Sequence, residues 1–278
     1  LKPGTTSFSV KASDGDEIYN CDVTVLDNLP EDAAPIKDIE LRSWFFARTY
    51  YGQDGYISKD ELSHMKFFSF GYGCREGYIK DLNGLEYATG LKTIDLSYTG
   101  VKDVSPIMKL NNLENLDISG MKMDDYSWLS NFTKMKRLNI SRTKIQDFSF
   151  LNNMAELEEL HVGSTSITDL DFLKNLKNYN KLELLDISDT AVSDLDVISR
   201  FVNISGCNNI HNFKPLYNLT NLDYFSYWGV QISDNDILEI IRCSIEKKNY
   251  SKGDLINIPL SYSILHGNGN LHIDVNGG

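Results

Sequence analysis

From Leu91 onward the chain falls into rows. "LKTIDLSYTGVKDVSPIMKLNN", "LENLDISGMKMDDYSWLSNFTK" and "MKRLNISRTKIQDFSFLNNMAE" are consecutive stretches of 22 residues. "LEELHVGSTSITDLDFLKNLKNYNK" follows with three extra residues, and "LELLDISDTAVSDLDVISR" is shorter. Apolar residues return at row positions 1, 4, 6, 11, 14, 17 and 20, so that position 6 reads Leu96, Ile118, Ile140, Val162 and Ile187. A fixed period of this length constrains the fold more than any other feature. One row cannot bury enough apolar surface to offset the entropy of ordering its own backbone, whereas stacked rows share a core and a hydrogen-bonded ladder.

L-x-x-L-x-L, then a turn and a second apolar half, is the pattern of a leucine-rich repeat. The expected fold is an α/β solenoid with a parallel β ladder on its concave face. Degenerate rows extend it. Residues 199–221 carry one extra residue in the turn, and "LDYFSYWGVQI" from Leu222 is the last recognisable half-row. At the front, "YIKDLNGLEYATG" is a second half whose strand is expected in "MKFFSFGYG". About eight rows over residues 65–232 result, imperfect at both ends where a solenoid must face water.

The flanks read as caps. Residues 27–64 are expected to form a helical N-terminal cap, with Leu41, Trp44 and Phe45 turned inward. Residues 233–250 read as an amphipathic capping helix: Ser233 or Asp234 suits the N-cap, Ile237, Ile240, Ile241 and Ile245 share a face, and Lys247 and Lys248 end it. Residues 1–26 alternate around an Asp-Gly turn signal, a β-hairpin pattern. Residues 251–278 alternate across Gly-Asn-Gly and are also expected to be β, the start of a following domain.

Charge and motif exclude much. A net charge of −12 argues against nucleic acid, which needs clustered Lys and Arg. No apolar run is long enough to span a membrane. The start "LKPGTTSFSV" has no charged and apolar leader, and its abruptness suggests an internal piece of a longer protein. Cys21, Cys74, Cys207 and Cys243 lack zinc or dense disulfide spacing and read as buried thiols. The histidines show no i,i+4 metal pair. "GYGCREG" has Glu76 where a dinucleotide fingerprint needs Gly, so its glycines read as a turn. No nucleophile elbow or Cys/His constellation is present, so no enzyme activity and no cofactor are expected.

Two places remain as sites. In "YYGQDGYISKDEL" (50–62), Gly55 aligned to position 6 of a calcium loop puts Asp54, the Tyr56 carbonyl, Ser58 and Glu61 at positions 5, 7, 9 and 12. Tyr50 and Gly52 stand where the first two ligands belong, so a metal-free cap is expected. The second is the outward stripe at row positions 3, 5, 7 and 8. Asp95, Asp117, His161 and Asp186 fall at position 5, and Tyr98 and Arg142 at position 8. Tyr224 and Trp228 lie near the C-terminal end. This stripe is either a ligand face with aromatic anchors or a row of solvated strand residues. Thr99, Thr143, Thr165 and Thr190 at position 9 suit bonds to the turn backbone, and the aspartates at position 13 (103, 125, 147, 169, 194) suit a convex-side turn.

Rows 91–200 resemble the repeats of internalin-type bacterial surface proteins. Residues 1–26 resemble the last strands of a bacterial immunoglobulin-like domain through Leu1, Pro3, Gly4, Ala12, Asp14, Gly15, Cys21, Val23 and Val25. Residues 36–62 are similar to the degenerate EF-hand-like cap of such proteins. The resemblance implies a secreted or wall-attached modular protein, monomeric, that recognises a protein or glycan on the concave face. The alternative is a spacer that positions another domain.

Overall fold

The computed structural model describes residues 4–11, 18–25, 29–47, 55–69, 78–196, 201–218, 225–227, 229–247, 255–259 and 270–274. Strands β1 (Gly4–Lys11) and β2 (Ile18–Val25) pair antiparallel, Gly4 opposite Val25. Helices α1 (Ile39–Phe46) and α2 (Lys59–Ser63) follow. Then come β3 (Phe67–Ser69), β4 (Thr93–Asp95), β5 (Asn115–Asp117), β6 (Arg137–Asn139), β7 (Glu159–His161), β8 (Leu184–Asp186), β9 (Phe201–Asn203) and β10 (Phe225–Ser226). These eight strands form one parallel sheet in chain order, each paired with the next. Helix α3 (Asp234–Lys247) comes next, and β11 (Leu255–Pro259) pairs antiparallel with β12 (Asn270–Asp274).

The row pattern dictates this arrangement. From Leu91 to Leu195 the described apolar positions are buried, with Met123 half-buried as the exception. Strands are only three residues long in most rows, with the central side chain buried and its neighbours facing out. Short 3-10 turns such as Ser127–Asn131 and Ser149–Asn153 form the return half on the convex side. Phe148 stacks on Phe172 of the following row at 4.4 Å, so aromatic contacts couple neighbouring rows there.

Side chains that no core demands are chosen for the turns. Thr99, Thr143, Thr165 and Thr190 donate their hydroxyls to the carbonyls of Leu96, Ile140, Val162 and Ile187 at 2.6–2.8 Å. Cys207 takes the same row position and donates its buried free thiol to the Ile187 carbonyl at 3.0 Å. Burial pushes that thiol's pKa up, which keeps it protonated and unreactive. On the convex side Asp103, Asp125, Asp147, Asp169 and Asp194 each accept the N–H two residues on, at 2.8–3.0 Å. These are Asx turns opening the second half of each row. Salt bridges also run from row to row. Lys92 and Lys136 bracket Glu114 from either side, and their hydrogen bonds hold its carboxyl down to about 2.

Both ends of the stack are closed. Asp38 caps α1 by accepting from Glu40 and Leu41 N–H at 3.0 Å, and its other oxygen accepts from Lys80 N–H at 2.9 Å, which ties the helix to the first row. Leu41, Trp44 and Phe45 are buried, and the Trp44 indole donates to the Ser69 carbonyl at the edge of the sheet. At the other end Ser233 accepts from Asp236 N–H at 3.1 Å and caps α3. Ile237, Ile240 and Ile241 are buried, and the Tyr217 hydroxyl donates to Asp236 at 2.7 Å. The side chain of Ile245 lies outside the described residues.

Candidate functional site

The outward stripe divides into two lines. At position 5, Asp95, Asp117, Asn139, Asp186 and Asn203 each turn one oxygen back onto the N–H two residues later. The acceptors meet Ser97, Ser119, Ser141, Ser188 and Ser205 at 2.8–3.0 Å. The second oxygens of the aspartates bond along the ladder. Ser69 donates to Asp95 at 2.7 Å, and the Asn139 amide to Asp117 at 2.8 Å. Asp95 and Asp117 are direct neighbours in register, and each carboxylate takes its donor from the row on its far side. His161 Nδ1 lies 3.5 Å from Asp186, and both are half-buried. Burial pushes the Asp186 carboxyl up, but the His161 ring and the Ser188 N–H and hydroxyl outweigh it. Its pKa therefore lies below the ordinary value.

Position 8 is different. Because the strands end at position 5, position 8 belongs to a turn and not to the alternating strand that sequence suggested. Every described row turns there through positive φ: Tyr98 at 57°, Arg142 at 59°, Ser164 at 54° and Asp189 at 55°, with Gly120, Gly206 and Gly229 at 70–78°. The ladder continues through it, with Tyr98 N–H donating to the Ser119 carbonyl at 2.8 Å and Arg142 N–H to Gly163 at 2.9 Å. A side chain in this conformation costs about 1–2 kcal/mol, which glycine avoids. Tyr98 is 41% exposed, and its ring lies across Gly120, where a Cβ would come within 2.5 Å of Tyr98 Cδ1. Arg142, one row beyond Gly120, is exposed and makes no ion pair among the described residues.

No protein-family model matches the chain, and no curated protein matches it in sequence. Solved structures do. An internalin (inlF) from Listeria monocytogenes superposes with a TM-score of 0.54 at 22% identity, over 78% of this chain and 64% of that one. The chain folds as a leucine-rich repeat solenoid. It spans under two thirds of that internalin's length. Internalin C2 (inlC2) from the same organism overlaps at a TM-score of 0.46, with 19% identity, 63% of this chain and 85% of that one covered. The APL1 leucine-rich repeat domain gives 0.47, with 13% identity and coverage of 65% and 54%.

Within the solenoid, Asp95, Asp117, His161 and Asp186 are brought into one line, and Tyr98 and Arg142 into the line beside it. Tyr224 and Trp228 lie outside the described residues. In the N-terminal cap Gly55 keeps the turn at φ 93°, while Asp54 lies outside the described residues. Ser58 and Glu61, the ninth and twelfth positions of the degenerate calcium loop, form a capping box for α2. Ser58 Oγ accepts from Glu61 N–H at 3.1 Å, and Glu61 Oε2 accepts from Ser58 N–H at 2.7 Å. Among the described residues, no three metal-ligating side chains are gathered, and no helix is long and apolar enough to cross a membrane. The signal that sequence reading missed was the column Gly120, Gly206, Gly229, which marks position 8 as left-handed.

Proposed function

We propose that the solenoid is a recognition module that binds a protein or glycan on the concave side, with Tyr98 and Arg142 as its anchors. The observation that carries this reading is the exposed Tyr98 ring at a strained backbone position, seated over a glycine that leaves room for it. Strain of this kind persists where function retains the residue. Tyr and Arg are also the side chains that concentrate binding energy at interfaces. Two rows of about 4.8 Å separate them, so one partner segment reaches both. Asp95, Asp117 and Asp186 supply a negative field that steers a basic partner more than they contact it, and His161 pairs with Asp186 in the same line. In sequence, Tyr224 and Trp228 fall at row positions 3 and 7 of the last half-row, and they are proposed as further members of this face. Likeness to an internalin fold supports an extracellular or cell-surface setting, with adhesion to a protein or glycan as the task. In this reading residues 27–64 cap the repeats of 65–232, residues 233–250 close them, 1–26 end an immunoglobulin-like domain, and 251–278 are a β segment that starts a following domain. The cap from 36 to 62 holds no metal, and the chain is monomeric without a cofactor or catalytic role.

One observation favours the spacer alternative: the acidic stripe is already accounted for by turn and ladder bonds. A binding screen of the chain against cell-surface proteins and glycans separates the two. On any hit, Tyr98→Ala or Arg142→Ala is expected to cost about 2 kcal/mol of affinity. Unchanged affinity in both variants rejects the anchor assignment, and a screen with no hit supports the spacer.

A further inference from the structure

The turn line at position 8 carries an order as well as a strain. It reads Tyr98, Gly120, Arg142, Ser164, Asp189 and Gly206 in successive rows. From Tyr98 to Asp189 each N–H donates to the position 7 carbonyl of the next row at 2.7–2.9 Å, so the line is continuous. Tyr98, Arg142 and Asp189 are exposed, and the small residue that follows each of them in the line is buried or half-buried. A Cβ at Gly120 would come within 2.5 Å of the Tyr98 ring, and one at Gly206 would collide with Asp189 Oδ1. Ser164 donates its hydroxyl to Asp189 at 3.5 Å. An aromatic ring, a cation and an anion thus stand in fixed order, two rows apart, with small residues between.

The spacing selects the conformation that meets all three. Two rows span about 9.6 Å. In a β-strand, side chains return to one face every second residue, about 6.6 Å, and a three-residue step of the right length turns to the other face. Residues seven apart on an α-helix share a face at about 10.5 Å, too long by about 0.9 Å at every step. A polyproline II helix returns to the same face every third residue, at about 9.3 Å, and fits best. The charges select its sequence. Arg142 makes no ion pair among the described residues, and position 5 of its own row is the neutral Asn139. Asp189 shares its row with Asp186, so that end of the line is negative.

We infer that the concave face binds a polyproline II segment of a protein partner. A proline of the segment lies on the Tyr98 ring, an acidic residue three places along meets Arg142, and a basic residue three places beyond meets Asp189. Aromatic side chains are the usual platform for such segments, and the helix is formed before it binds, so little entropy is lost. This inference rests on the concave anchors proposed above and adds the partner's conformation and charge order.

The test measures binding of dye-labelled, capped peptides to the full chain by fluorescence anisotropy. The first probe is Pro-Pro-Pro-Glu-Pro-Pro-Arg-Pro-Pro, and the second exchanges its Glu and Arg, an order that turning the peptide end for end does not restore. The third keeps the first Pro, the Glu and the Arg and replaces every other proline with glycine. The first is expected to bind saturably, and the other two about tenfold more weakly. Arg142→Gly and Asp189→Gly keep the turn, which other rows hold with glycine, and each is expected to remove most of the preference between the first two peptides. No saturable binding of the first peptide, equal affinity for the first two, or a preference that survives both glycine variants overturns the inference. A cell-surface ligand that loses affinity in Tyr98→Ala but is not displaced by the first peptide overturns this inference alone and leaves the anchors in place. Peptide binding that Tyr98→Ala leaves unchanged overturns both.

Discussion

Asp117 and Arg142 stand in two lines that run side by side along the ladder, and the backbone treats them in opposite ways. Asp117 accepts the Ser119 N–H and the Asn139 amide, so its charge is used to close a turn and to join two rows. Arg142 is held at φ 59°, in a conformation that three other rows give to glycine. The first residue stabilises the fold and needs no ligand to explain it. The second sits where glycine would hold the same turn at lower cost, and the binding role proposed for it is our account of why it is kept. Residues that look equally functional in a polar stripe are thus sorted by whether the structure gains or loses by keeping them.

The largest effect is expected at Gly120. Gly120→Ala forces a side chain into positive φ and against the Tyr98 ring, and urea unfolding should show a loss of about 2–3 kcal/mol. Repeating it in a Tyr98→Gly background should recover the steric part. Equal costs in both backgrounds would break the link between the two residues.

Next comes the frame line. Asp117→Ala leaves the N–H of the buried Ser119 without its acceptor and should cost about 2 kcal/mol. Asp147 makes the same kind of turn bond to Ser149 on the exposed convex side, where water replaces it. Asp147→Ala should therefore change stability by under about 0.5 kcal/mol. Similar losses at both sites would show that the ladder bonds add nothing to Asp117.

Acid should sharpen the same comparison more gently. The folded pKa of Asp186 is depressed, so its stabilisation is complete above the ordinary carboxylate value and is lost as pH falls through the folded one. Unfolding midpoints below about pH 4 should drop less in Asp186→Asn than in the wild type. A variant with an unaltered acid slope would remove the His161–Asp186 pair from the frame.

Much of this was legible before any coordinates. Seven apolar positions per row leave no freedom in register, and the buried residues from Leu91 to Leu195 follow from them, Met123 apart. The position 9 threonines and position 13 aspartates were readable because each has one nearby backbone partner. The role of position 5 was hidden because Asp and Asn at 95, 117, 139, 186 and 203 look the same whether they face a ligand or cap a turn. Position 8 was misplaced because strand alternation was carried past a strand that stops at Asp95, Asp117 and Asn139.

Urea unfolding of Tyr98→Gly and Arg142→Gly, beside the wild type, tests most directly whether position 8 is kept for binding. Glycine relieves the left-handed strain of about 1–2 kcal/mol but gains entropy in the unfolded chain, so both variants should be unchanged or more stable by up to about 1 kcal/mol. A loss of about 1 kcal/mol or more in either would show that the side chain holds the fold together, and that residue would leave the binding face.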